Sequence, residues 1–187
     1  MTTDNHLSGM RVAILIANGF DTMDATLLRE ALIMAEADTE LIAPAAGEIP
    51  SDATHGFVDA YTTRGVNDVS ANDFAALVVP GGLAAIEVLS TDAATAVFIQ
   101  GFLKDEKPIA AVNGGVLLLH RLGALNGRSV AAHPTLRKRV VEGGSAWVEG
   151  PVSVDAGLVT GHAKEGLVEF NNAMVAAFAA HHAGVGR

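Results

Sequence analysis

Cysteine is absent from all 187 residues of this chain. Its absence excludes disulfides, thiolate metal sites, iron–sulfur clusters and every cysteine nucleophile. Aromatic residues are scarce at 5%, so aliphatic side chains must build most of the core. The apolar runs are well short of the roughly 20 residues that cross a bilayer, and the polar amino end does not resemble a signal peptide. We therefore expect a cytoplasmic protein that does not bind membranes.

Basic residues are outnumbered, with 12 Lys and Arg against 21 Asp and Glu, which gives a net charge of −9. Such a surface repels phosphate backbones, so nucleic acid is not expected as a partner. Half of the residues are hydrophobic and 18% are charged, which excludes a disordered chain. The length predicts a single domain over residues 1–187.

Continuous apolar runs alternate with segments of helical period along the chain. Runs of this kind are typical of strands buried on both faces of a parallel sheet. The pattern predicts a doubly wound α/β domain with a mainly parallel sheet. Strands are expected at 11–17, 39–44, 75–79, 109–112, 129–132, 152–154 and 158–160, with short strands or a hairpin near 57–62 at the sheet edge. Helices are expected at 24–37, from 90–92 to about 104, from 114 through 119, and around 167–178.

Glycines follow three of these strands, at Asn18-Gly19, Gly81-Gly82 and Asn113-Gly114-Gly115. Ligands of open α/β sheets bind at the carboxyl ends of strands, although such glycines also serve as plain turns. Asn113 ends a buried strand and begins a helix, which is the position of a nucleophile elbow. Asn tolerates the positive φ of an elbow, but its amide is neither a nucleophile nor a base. We therefore consider both a ligand-binding amide and a simple turn residue.

Four titratable residues follow predicted strands and are candidates for the same cleft. Asp21 and Asp24 either cap the first helix or direct a carboxylate at the Asn113 elbow. His133 and His162 follow later strands and could face the cleft too. The histidines show no metal-binding spacing, and neither a phosphate-binding GK[ST] loop nor a GxGxxG motif is present, so we expect no metal and no cofactor.

Five segments, in this order, resemble the PfpI-type intracellular protease/amidase branch of the ThiJ/PfpI superfamily: RVAILIANGF, DFAALVVPGG, KPIAAVNGG, HPTLRKRVVEGGSAWV and LVEFNNAMVAAF. The resemblance covers about residues 9 to 180. It implies a flavodoxin-like fold related to class I glutamine amidotransferases, and a homodimer or larger assembly. Family members are described as proteases, deglycases, glyoxalases or stress proteins.

The resemblance also shows which catalytic groups are missing. The family elbow reads A-x-C-H-G, whereas this chain has Asn113 at the cysteine position and Gly114 at the histidine position. Asp21 aligns with the glutamate that stands beside the family cysteine. Ile86 occupies the position of a further glutamate found in the hexameric proteases, with Glu87 one residue on. Thiol chemistry is therefore not available to this chain.

Two functions follow from these observations. The first is a non-catalytic binding or stress-related member with Gly81, Gly82, Asn113 and Gly114 around a small-molecule ligand. The second is a hydrolase, lyase or isomerase that uses Asp21 with His133 or His162 as acid and base.

Both functions predict a pocket bounded by Asp21, Gly82, Asn113 and His133. Asn113 should have a positive φ. The Asp21 carboxylate should either contact the Asn113 amide or cap the helix through backbone N–H groups at residues 23 and 24.

Overall fold

A computed structural model describes residues 6–52 and 59–185. Its strands are β1 (Arg11–Leu15), β2 (Asp38–Ile42), β3 (Gly47–Ile49), β4 (Ala60–Thr62), β5 (Ala76–Val79), β6 (Ile109–Val112), β7 (Ser129–Val130), β8 (Ala146–Trp147), β9 (Val152–Asp155) and β10 (Leu158–Gly161). Its α-helices are α1 (Thr22–Met34), α2 (Leu83–Thr91), α3 (Ala93–Lys104), α4 (Gly114–Arg121), α5 (Arg137–Glu142) and α6 (Ala163–Val185).

Six strands form the central sheet, in the order β2-β1-β5-β6-β10-β9. Neighbouring strands are parallel except at the β10–β9 edge, where the pairing is antiparallel. Every residue of β5 and β6 is buried, as the unbroken apolar runs predicted. The predicted α/β class with a mainly parallel sheet is confirmed, and the carboxyl ends of β1, β5 and β6 meet at one edge.

Helix α2 was not predicted from the sequence. It begins directly after Gly82, whose N-cap position carries no side-chain hydrogen bond, so the usual polar start signal is missing. Helix α3 begins close to the predicted start at 90–92, and it is capped by Asp92, whose carboxylate accepts the Thr95 N–H at 2.7 Å. Among the described residues no single helix is long and apolar enough to cross a membrane. Only α2 and α3 together meet that test, and they bend by 90°.

Two small sheets lie outside the central one. Strand β4 pairs antiparallel with β3, so the predicted hairpin belongs to a separate two-stranded sheet, and residues 57 and 58 lie outside the described residues. Strand β7 pairs with β8 instead of joining the central sheet, and its strand is shorter than predicted.

Side chains of the central sheet bind the backbone of β7 and of the residues that follow it. The Asp155 carboxylate accepts the Ser129 N–H at 2.7 Å, and the Thr160 hydroxyl accepts the Ala131 N–H at 3.1 Å. The Ser129 backbone hydrogen bond is the main reason that the pKa of Asp155 lies below its ordinary value. This segment leads directly to His133.

A cluster of charged side chains lies at the β2 edge of the central sheet. The Glu40 carboxylate accepts hydrogen bonds from Arg64 at 2.7 and 2.6 Å and from Arg11 at 2.9 Å. The Arg64 guanidinium is the main cause of a pKa below the ordinary value for Glu40, with Arg11 adding to the effect.

Candidate functional site

The loop between β6 and α4 has the backbone of a nucleophile elbow. Asn113 has φ 51° and ψ −116°, which confirms the predicted positive φ. The tight approach of α4 to the sheet explains the glycines that follow. A Cβ on Gly115 would lie 2.2 Å from the Val79 carbonyl oxygen, and a Cβ on Gly114 would lie 3.1 Å from Ile86 Cγ1. The elbow shape is therefore built into the packing although it carries no thiol.

The Asn113 amide is held by a buried carboxylate. Its Nδ2 donates to both oxygens of Asp24, at 3.0 and 2.8 Å. The Gly81 N–H donates to Asp24 Oδ2 at 3.0 Å. Asp24 is only 3% exposed. The Asp24–Asn113 pair thus ties helix α1 to the elbow and to the loop after β5.

Asp21 has the role that the capping interpretation predicted. Its backbone is extended, and its Oδ1 accepts the Asp24 N–H at 3.0 Å at the start of α1. The carboxylate that the structure brings onto the Asn113 amide is Asp24, one helical turn further on, which corrects the expected Asp21–Asn113 contact. Asp24 lies four residues before Leu28 and eight before Leu32, both fully buried, so it shares the inward face of α1. That spacing is the sequence signal that identifies Asp24.

A pocket of about 370 Å³ lies beside the elbow. We call it the elbow pocket. Asp21, Gly82, Asn113 and His133 all line it, so the predicted boundary is confirmed. Gly114, which was predicted to bind a ligand, also lines it. The other lining residues were not predicted and consist of one further carboxylate, a hydroxyl and three leucines: Asp52, Leu83, Leu117, Thr135 and Leu136.

The glycines of the β5–α2 loop make room for this arrangement. Gly82 has φ 111°, and a Cβ there would lie 2.4 Å from the Gly19 carbonyl oxygen. A Cβ on Gly81 would lie 2.4 Å from Asp24 Oδ2. Gly81, predicted as a ligand-binding residue, therefore contacts the Asp24 carboxylate, whereas Gly82 and Gly114 line the pocket itself.

The two candidate histidines lie close together but face different cavities. Their ring centroids are 6.2 Å apart and the rings are nearly perpendicular. His133 is exposed on the elbow pocket, and its Nδ1 accepts the Thr135 N–H at 3.4 Å. His162 lines a second cavity with Trp147, and its Nδ1 has no hydrogen-bond partner within residues 6–52 and 59–185. Of these two histidines, His133 lines the elbow pocket and His162 does not.

The chemistry of the pocket follows from these groups. Asp21, Asp52, His133 and Thr135 offer polar atoms, and the leucines offer an apolar wall. Within the described ranges, no group of three His, Asp or Glu side chains is arranged to hold a metal ion.

Comparison with known proteins gives a consistent family result. A model of the DJ-1/PfpI family matches residues 10–177. Protein DJ-1 homolog D of Arabidopsis thaliana is 35% identical over 125 residues, which are 65% of this chain and 32% of that protein. YraA of Bacillus subtilis is 29% identical over 108 residues, which are 58% of this chain and 63% of YraA. The matches thus span about a third of the first relative and less than two thirds of the second.

A solved structure shows the same fold. The ThiJ/PfpI domain protein of Brachyspira murdochii superposes with a TM-score of 0.81 at 19% identity, over 92% of this chain and 98% of the other.

Proposed function

Because the chain belongs to the DJ-1/PfpI family and has an amide at its elbow, we propose that it is a non-catalytic binding member of that family. The observation that carries the proposal is the Asp24–Asn113 pair. An amide cannot replace a thiolate as a nucleophile, and here its N–H groups are already directed at a buried carboxylate. The elbow geometry is kept, while the group that would react is absent.

The pocket walls define the class of ligand. Two carboxylates, Asp21 and Asp52, accept hydrogen bonds and repel anions, and Leu83, Leu117 and Leu136 favour an apolar part. A volume of about 370 Å³ is at the small end of ligand pockets. We expect a small molecule with hydroxyl or ammonium donors at one end and a short branched apolar chain at the other.

A matched set of probes tests this ligand class. Isoamylamine, isoamyl alcohol and isovalerate share one branched carbon skeleton and differ in the terminal group. We expect the amine and the alcohol to bind, and the carboxylate to bind more weakly, as measured by ligand-observed NMR. Asp52→Asn should remove the preference for the amine, while Asp105→Asn, an exposed change outside the pocket lining, should leave it intact. Equal binding of all three probes, or binding by none, would contradict the proposal.

The lack of family chemistry is tested directly. Purified protein should show peptidase and methylglyoxal-consuming rates equal to those of buffer. A rate above buffer that disappears in Asp21→Asn and His133→Ala would overturn the non-catalytic proposal.

Acid–base catalysis is the second candidate, and one observation favours it. Asp21 and His133 line the same pocket, so a bound substrate could contact both. Turnover that depends on both residues, and that persists in Asn113→Ala, would support this candidate.

We also propose that the chain forms a homodimer, as the family resemblance implies. Light scattering at micromolar concentration should give about twice the chain mass of 19.2 kDa. A mass equal to that of one chain would contradict this proposal.

A further inference from the structure

The ψ angle of Asn113 places its side chain close to the next backbone nitrogen. Viewed along the Cα–C bond, the other three substituents of Cα lie about 120° apart. In an L-residue the torsion from Cβ to the next nitrogen is therefore about 120° larger than ψ, which is measured from the residue's own backbone nitrogen. A ψ of −116° therefore places the Asn113 Cβ almost in line with the Gly114 nitrogen. A five-membered ring through Cα, Cβ, Cγ, the Gly114 nitrogen and the carbonyl carbon requires this eclipsed arrangement. Most residues avoid it because such ψ values are sterically disfavoured.

We propose that Asn113 is a site of spontaneous succinimide formation and deamidation. The Gly114 nitrogen attacks Cγ of Asn113, and its proton passes to Nδ2, which leaves as ammonia. Water then opens the ring at either carbonyl, which leaves aspartate or isoaspartate at position 113. The balance is one water consumed and one ammonia released.

The surroundings of Asn113 supply what this step needs. Gly114 has no side chain to shield its nitrogen, and as the first residue of α4 it has no intrahelical acceptor for its N–H. The Asp24 carboxylate already contacts the leaving Nδ2 at 2.8 and 3.0 Å, where it can hold the departing nitrogen as ammonium. Asn113 also lines the elbow pocket, so water can reach the ring.

The Gly81 backbone packs closely against this site. Measured from the point where a Cβ on Gly81 would lie, Asp24 Oδ2 is 2.4 Å away, Asn113 Cβ is 3.1 Å away and the Gly114 nitrogen is 3.5 Å away. The loop after β5 thus packs against the acceptor of the leaving group, the Asn113 side chain and the Gly114 nitrogen.

The product changes the elbow. A carboxyl group at position 113 would face Asp24 without the N–H donors that now join them. Two carboxyl groups at that distance cannot both ionise, so they would hold one proton between them. Deamidation thus converts a neutral amide at the elbow into an acid–base group.

The chain contains matched controls for this reaction. Asn18-Gly19 and Asn126-Gly127 have the same dipeptide sequence, and neither asparagine has a positive φ. Trypsin separates the three sites, because cleavage follows Arg11, Arg29, Lys104, Arg121 and Arg128. Each asparagine-glycine pair therefore lies on its own peptide, in the same sample and the same digest.

The test is incubation of the folded protein at neutral pH, followed by mass spectrometry of the three peptides. We expect Asn113 to gain the deamidation mass shift about tenfold faster than the other two asparagines, because the fold already holds the eclipsed torsion. In guanidinium the three rates should converge, since the dipeptide sequence is then the only determinant. Equal rates in the folded protein, or a slower rate at Asn113, would overturn the proposal.

Two further readouts identify the mechanism. Ring opening gives both aspartate and isoaspartate, whereas direct hydrolysis of the amide by water gives aspartate alone, which would contradict the succinimide step. Asn113→Gln keeps the amide but lengthens the chain, so the site should no longer react, while the rates at Asn18 and Asn126 stay unchanged. Continued conversion at position 113 in that variant would also overturn the proposal.

Discussion

Two carboxylates of this molecule accept hydrogen bonds from side chains in very different settings. Asp24 lies in the core and is bound by a neutral amide and a backbone N–H, whereas Glu40 lies at the edge of the sheet and is bound by two guanidinium groups. The Glu40 side chain is 22% exposed and Asp24 is 3% exposed. Water can replace a lost partner at Glu40 but much less readily at Asp24, so burial decides the cost of losing a partner more than formal charge does.

The largest effect is expected at Asn113. Asn113→Ala removes both amide contacts from the buried carboxylate and keeps a Cβ at a strained φ, so it should lower the free energy of unfolding by about 3 kcal/mol. Asn113→Gly removes the same contacts but relieves the backbone, and should recover about 1 kcal/mol of that loss. Denaturant unfolding of both variants separates the two contributions. Equal stability of Ala and Gly at this position would show that the elbow is not strained.

Asp24→Asn should cost less, about 2 kcal/mol, because a rotated amide retains one of the two kinds of contact that the carboxylate makes. The same unfolding experiment measures it. Combined with Asn113→Ala it should cost clearly less than the sum of the single changes, since both remove the same contacts. Additive losses would mean that the two side chains do not depend on each other.

Glu40→Gln should lower stability by about 1–2 kcal/mol at neutral pH. The pKa of Glu40 is lowered in the folded state, so its contribution is fully present above the ordinary value of 4.5 and is lost as pH falls through the folded-state pKa. The difference between wild type and variant should therefore shrink on acidification below that value. A difference that stays constant from pH 7 to pH 3 would contradict this assignment.

The smallest effect is expected at Glu87. Arg121 donates a hydrogen bond to its carboxylate at 2.5 Å and thereby lowers its pKa, but this carboxylate is exposed. Glu87→Gln should leave the unfolding midpoint unchanged within error, since exposed ion pairs contribute little. A clear shift of the midpoint would show that burial is not the property that ranks these sites.

The sequence was most informative where burial is complete. Unbroken apolar runs predicted the three inner strands of the sheet that precede the elbow, and the position of Asn113 predicted its positive φ. Helix α2 could not be predicted in the same way, because it has no polar cap and follows two glycines. A polar capping residue marks the start of a helix in the sequence because its side chain binds the first backbone N–H groups, and α2 has no such residue.

The site was predicted less completely than the fold. The four predicted boundary residues of the elbow pocket were correct, but the contact with the Asn113 amide was expected from Asp21 and is made by Asp24. The two aspartates are three positions apart, and only the helical face shared with Leu28 and Leu32 distinguishes the inward one. His162 follows its strand as His133 does, yet the strand order directs it into another cavity, and sequence spacing carries no information on that order.

The way in which residues 129–131 are attached to the central sheet has a consequence for the rate of local opening beside His133. The Ser129 and Ala131 amides donate to the side chains of Asp155 and Thr160, not to the backbone of a neighbouring strand of the central sheet. Loss of these two hydrogen bonds therefore breaks no strand pairing of the central sheet. In hydrogen–deuterium exchange, those two amides should report a faster local opening than the amides of β6. We expect the rate at which a molecule enters or leaves the elbow pocket to follow this local opening and not the global unfolding of the protein.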